Sequence, residues 1–122
     1  MRRRWAGVFF VALGVGLVPW ALWIGYSLPS RHVAHHWDLA WSGFDVVLGA
    51  ALLGTGFTLL TGRRLAASFA AATGALLLAD AWFDIVTAAD ANERLLAIVL
   101  AVFAEIPLAI LCFWLAQSPP RR

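Results

Sequence analysis

Lysine is absent from this chain, cysteine occurs once, and only 13% of the 122 residues are charged. A soluble domain carries about 25% charged residues, so the shortage of charge sets this chain on the membrane side. The lone Cys112 excludes an intramolecular disulfide and sits inside an apolar run, where a cysteine behaves as a small core residue. There is no C-x-x-C, no Gly-rich phosphate loop ahead of a helix, and no nucleophile-plus-base pattern. An enzyme is therefore not favoured. Acid–base chemistry on a lipid or quinone by paired carboxylates is the opening that remains to one. The net charge of +2 comes from nine arginines at segment ends, which form no patch and speak against nucleic acid.

What is present is hydrophobic: 62% of the chain, with a mean hydropathy of +0.82. Four long apolar stretches, over about residues 5–28, 38–61, 65–88 and 94–117, predict four helices of roughly 24 residues, each enough to cross about 30 Å of hydrocarbon. The first follows Arg2, Arg3 and Arg4, as a signal peptide would. Its apolar core exceeds the roughly 7–15 residues of such a peptide and lacks a small-x-small cleavage site, so it reads as a retained span. Pro19 is a candidate kink, and Trp20, Trp23 and Tyr26 gather toward one end like an interfacial belt.

The connections are short. Residues 29–37 hold all three histidines, His32, His35 and His36, with Asp38 just after. Gly62 reads as a helix C-cap before Arg63 and Arg64. Asp90 reads as an N-cap, with Glu93 at capping-box distance. Pro119 and Pro120 are expected to stop the last helix. Three short connections make one membrane domain over residues 1–122, an all-α, antiparallel four-helix transmembrane bundle. Seven arginines (2, 3, 4, 63, 64, 121 and 122) fall on one side and Arg31 and Arg94 on the other. The positive-inside rule then places both termini in the cytoplasm of a plasma (inner) membrane protein.

Topology collects the intramembrane acids. Asp80 and Asp84 lie four apart on one face of helix 3. Asp45 and Asp84 are expected roughly 7–10 Å below the outer surface, with Asp80 one turn deeper and Glu105 near the midplane. Asp38, Trp41 and Asp45 share a face of helix 2, and Thr73, Asp80, Asp84 and Thr87 form a polar stripe on helix 3. Trp41-Ser-Gly-Phe44-Asp45-Val-Val also echoes Trp82-Phe83-Asp84-Ile-Val, as a weak inverted repeat or by chance.

An ionised acid in hydrocarbon costs several kcal/mol unless it is paired, hydrated or protonated. The bland reading is structural: Asp38, Asp45 and Asp84 pair with Arg31, Arg94 or a histidine, or bond to Trp and Thr side chains and hold the helices together. The sharper reading is a polar cavity open to the outside at Asp45, Asp80, Asp84 and Glu105, binding or passing a cation or proton. A divalent metal ion is the cofactor this implies, and His32, His35, His36 and Asp38 are further candidate ligands. The inner half offers only Thr55, Thr58 and Thr61 as a polar continuation, and four helices leave little room for a pore, so transport would need an oligomer. The alternative is a structural or accessory subunit with no ligand of its own. Its glycine- and alanine-lined helix faces would meet a second copy or a partner membrane protein within the bilayer.

The stretches Trp37-Asp-Leu-Ala-Trp41-Ser-Gly-Phe44-Asp45 and Asp80-Ala-Trp-Phe-Asp84-Ile-Val-Thr87 resemble a group of small four-span actinobacterial integral membrane proteins of uncharacterised function. The abundance of Ala, Gly, Val, Leu and Arg fits such a GC-rich source. The resemblance implies the topology and membrane location, and carries no activity or ligand.

Overall fold

A computed structural model describes residues 2–118, and among them every regular element is helical. The helices are α1 (Arg2–Ser27), α2 (Trp37–Thr61), α3 (Ala66–Thr87) and α4 (Ala91–Gln117). All four are long and apolar enough to cross a membrane. The shortest, α3, has 22 residues, or about 33 Å at 1.5 Å per residue. The chain is thus compatible with an integral membrane protein. The described residues fall into two compact units divided after His35.

In the first unit α1 runs unbroken past Pro19, which lies inside it, and the Trp20 and Trp23 rings lie 5.5 Å apart. Helical structure begins at Arg2 rather than near Trp5, because arginine is a good helix former and nothing in the first turn stops it.

In the second unit α3 lies between α2 and α4 and packs against both. Its contact residues are small. Ala70, Thr73 and Ala109 are fully buried and Ala101 nearly so, whereas Leu53 is 77% exposed and Phe103 78% exposed. A water-soluble bundle sorts its residues the other way. Here large apolar side chains face outward, as they would toward lipid, and small ones let the helix backbones approach. Leu48, Leu77, Ala109 and Cys112 form the apolar core, so the lone cysteine is a packed core residue. Two aromatic rings seat on glycines: Phe69 of α3 covers Gly54 of α2, and Phe113 of α4 covers Gly74 of α3 at the distance of a tight Cβ contact.

The ends follow their local chemistry. Gly62 adopts φ 63°, and the N–H of Arg63 donates to the Thr58 carbonyl at 3.0 Å, closing α2 as expected of a glycine C-cap. Asp90 Oδ1 accepts the N–H of Glu93 at 2.8 Å, and Glu93 Oε2 accepts the N–H of Ala89 at 2.9 Å. That cap starts α4 at Ala91, three residues earlier than the apolar run suggested. Pro119 and Pro120, with Arg121 and Arg122, lie outside the described residues.

One feature of α4 was not expected. Residues Ala101–Glu105 form a wide π-turn, in which the N–H of Ile106 donates to the Ala101 carbonyl five residues back. Pro107 follows at once. A proline in a regular helix lacks its N–H and presses its ring on the carbonyl four residues earlier, here Phe103. Widening the turn ahead of it relieves that clash and changes the direction in which Glu105 leaves the helix.

Candidate functional site

Asp80 and Asp84 project from consecutive turns of α3, as their spacing of four requires. The π-turn ends at Glu105 and delivers it from α4 to the same place. Each of the three acids offers an oxygen, and these oxygens all lie within 4.8 Å of one another. All three side chains are half-buried. The nearby charges that act on them are each other's and that of Asp45 on α2, with no arginine or histidine among them in the described residues.

Repulsion decides what state this group can hold. Two carboxylates 4.8 Å apart repel by roughly 3.5 kcal/mol at an effective dielectric constant of about 20. Three such pairs approach about 10 kcal/mol, comparable to the whole stability of a small domain. The triad therefore does not persist with three bare negative charges. It takes up protons, a cation, or both. Glu105 Oε2 marks the demand for one of them, being buried without a hydrogen-bond donor. A proton shared with Asp80, whose carboxyl oxygen belongs to the same close group, would satisfy it, and so would a metal ion with oxygen ligands.

Beside the triad is a pocket of about 350 Å³, lined by the start of α2, the end of α3 and the start of α4. Trp37 and Trp41 form one wall, Asp84 and Glu93 the polar side, and Leu96 and Leu100 the apolar side. The two indoles have centroids 5.7 Å apart and planes at 67°. Trp41 also makes T-shaped contacts with Phe44 and Phe83, with centroids at 6.3 and 6.4 Å. Glu93 is occupied as the cap of α4. Asp84 belongs to both the triad and the pocket.

The expected site residues are thus partly gathered. Asp80, Asp84 and Glu105 come together. Asp45 stands exposed on α2, outside the group of three, though its charge reaches Asp80 and Asp84. Asp38 is exposed in the first turn of α2. His36 precedes α2 with a left-handed backbone at φ 57°. His32 and His35 belong to the first unit. None of the three histidines is part of the acidic group.

The polar stripe on α3 divides in two. Thr73 is fully buried and bonds to Thr55 of α2 at 2.8 Å, while Thr87 turns its hydroxyl onto the Phe83 carbonyl. Two contributors were not singled out from the sequence. Trp37 lines the pocket with Trp41, and the spacing of four between them was the signal that could have shown it. The π-turn had one sign, Pro107 two residues beyond an intramembrane glutamate. No family model, no curated protein and no solved structure matches the chain.

Proposed function

We propose that this is a plasma-membrane protein with four antiparallel spans and both termini in the cytoplasm, which binds or passes a cation or proton at Asp80, Asp84 and Glu105. The convergence of three carboxyl oxygens within 4.8 Å carries this reading. Like charges that close demand a proton or a metal ion, and acids at membrane depth are the usual material of such sites. Asp45 adds a fourth charge at the rim. The arginine asymmetry supports the orientation, with the acids toward the outer surface. The resemblance to small four-span actinobacterial membrane proteins agrees with it.

The threonines favour a binding site over a path through one copy. Thr55, Thr58 and Thr61 turn their hydroxyls onto carbonyls of their own helix, Ala51, Gly54 and Phe57, at 2.7–2.8 Å. They offer no polar continuation toward the arginine-rich side.

The test is elemental analysis of the detergent-purified protein, paired with acid-driven proton flux in liposomes. The expected result is either a near-stoichiometric metal or a measurable flux, reduced at least about tenfold in Asp80→Asn, Asp84→Asn and Glu105→Gln. A wild type with neither metal nor flux, and variants whose main effect is to destabilise the bundle, would overturn the reading. It would leave a structural subunit. One observation favours that second reading: on α2, Gly49 and Gly56, seven residues apart on one face, have open space where a side chain would stand, a surface on which a helix of a second copy or a partner could pack.

A further inference from the structure

The pocket next to the triad has a chemistry that a bare metal ion does not use. Metal ions such as calcium and magnesium take oxygen ligands, and gain nothing from two indoles and two leucines. An anion would meet two carboxylates. A wholly apolar guest would strip water from Asp84 and return nothing to it. We infer that this pocket binds an organic ammonium cation, with Trp37 and Trp41 against its alkyl groups and Asp84 as its counter-ion.

Three observations converge on that ligand. The indole planes are inclined at 67° with centroids 5.7 Å apart, an edge-to-face contact rather than a stack, so the two rings turn differently oriented surfaces to the pocket they line. The face of an indole is the best aromatic partner for an alkylammonium. The second observation is charge. Both acids that border the pocket are carboxylates, and of the two Asp84 is half-buried whereas Glu93 is exposed and has its Oε2 on the Ala89 N–H. The third is shape. A volume of about 350 Å³ lies at the small end of ligand pockets, and Leu96 and Leu100 supply an apolar wall for the cation's hydrocarbon.

Tryptophans at the end of a membrane helix also serve as interfacial anchors. Trp41 differs from a plain anchor, because it is half-buried and braced by Phe44 and Phe83 instead of facing outward. An ammonium at this depth can come from a lipid headgroup or from a free amine, and the chemistry is the same for both.

The inference rests on the proposed cation site only through Asp84, so the two can fail separately. The probe is labelled benzyltrimethylammonium, measured by equilibrium dialysis against the full-length protein in maltoside micelles, with neopentylbenzene as the uncharged isostere. Saturable binding of the cation, with the isostere at least about tenfold weaker, is expected. Trp41→Leu and Asp84→Asn should each weaken it roughly tenfold, and Trp41→Phe by less, since a phenyl face retains part of the attraction. Leu96→Trp fills the pocket without touching a charge and should also abolish binding, which guards against variants that merely fail to fold. Trp41→Leu and Leu96→Trp should leave metal content or proton flux at the triad unchanged.

Competition by short-chain phosphatidylethanolamine or phosphatidylcholine, but not phosphatidylglycerol, supports the site and names a headgroup as its occupant. Saturable binding without lipid competition supports it with a free amine. Equal binding of cation and isostere, or binding indifferent to Trp41→Leu, Asp84→Asn and Leu96→Trp, overturns the inference and leaves the triad reading standing. Loss of metal or flux in Asp80→Asn without loss of the ammonium, by contrast, concerns the triad alone.

Discussion

Thr55 and Thr73 join α2 to α3 by a side-chain hydrogen bond at 2.8 Å, and the direction of that bond can be worked out. Thr55 Oγ1 already donates to the Ala51 carbonyl at 2.8 Å. Its single proton is spent, so Thr73 is the donor and Thr55 the acceptor. The two ends are then not equivalent. Thr55→Val leaves the Thr73 hydroxyl, fully buried, without its acceptor, and an orphaned buried donor costs about 1–3 kcal/mol. Thr73→Val removes the donor itself, while Thr55 keeps its bond to Ala51. The expected loss is then about 0.6 kcal/mol, the mean for such interhelical bonds. Thermal unfolding in maltoside micelles should rank Thr55→Val below Thr73→Val. The double variant should lie close to Thr73→Val and above Thr55→Val, since valine in both places leaves no buried donor to satisfy. A larger loss in Thr73→Val than in Thr55→Val would mean that the donor runs the other way.

At the scale of the helix, α3 is positioned by two glycines that give way to rings. The Phe113 ring sits 3.0 Å from where a Gly74 side chain would begin. Gly74→Leu therefore forces α4 away from α3, with an expected loss of about 1–3 kcal/mol. It should also disturb the triad, since Glu105 rides on the same helix. Gly43→Leu is the control. Nothing lies within 4 Å of its added carbon, and leucine is the better helix former by somewhat under 1 kcal/mol, so stability should hold or rise slightly. Unfolding midpoints of the two variants side by side check the pair. A loss at Gly43 would instead reveal a helix seated on that face.

The helices, the caps at Gly62 and Asp90 and the pairing of Asp80 with Asp84 were legible in the sequence, because length, hydropathy and a spacing of four are local properties. Gly62 and Asp90 announce their roles by residue type alone. The meeting of Glu105 with that pair was harder to read. Depth counting placed it near the midplane, but a regular α4 need not have aimed it at α3. The π-turn sets its direction, and only Pro107 hinted at one. Asp45 shows the opposite case. Its depth matched that of Asp84, yet it stands exposed on α2, because depth along a helix says nothing of rotation about its axis.

For the whole molecule the governing quantity is where the arginines fall. Seven of nine are expected on one side, and each arginine resists being carried across the bilayer. The connection that tests this is the one between α2 and α3, since Arg63 and Arg64 must stay inside for the termini to share their side. A fluorescent protein fused after Arg122 should light up in a bacterial host, because it folds in the cytoplasm. Alkaline phosphatase inserted after Val33 should be active, because it needs the oxidising outer side. Replacing Arg63 and Arg64 with serine lowers the difference from seven against two to five against two. The orientation should then survive, held mainly by Arg2, Arg3 and Arg4. Adding Arg2→Ser, Arg3→Ser and Arg4→Ser leaves two against two, and a mixed population is expected, with both reporters partly active. Reporters that keep their wild-type values in the five-serine variant would mean that packing among the helices, and not arginine, sets the orientation. The acid triad would then owe its side of the membrane to the fold itself.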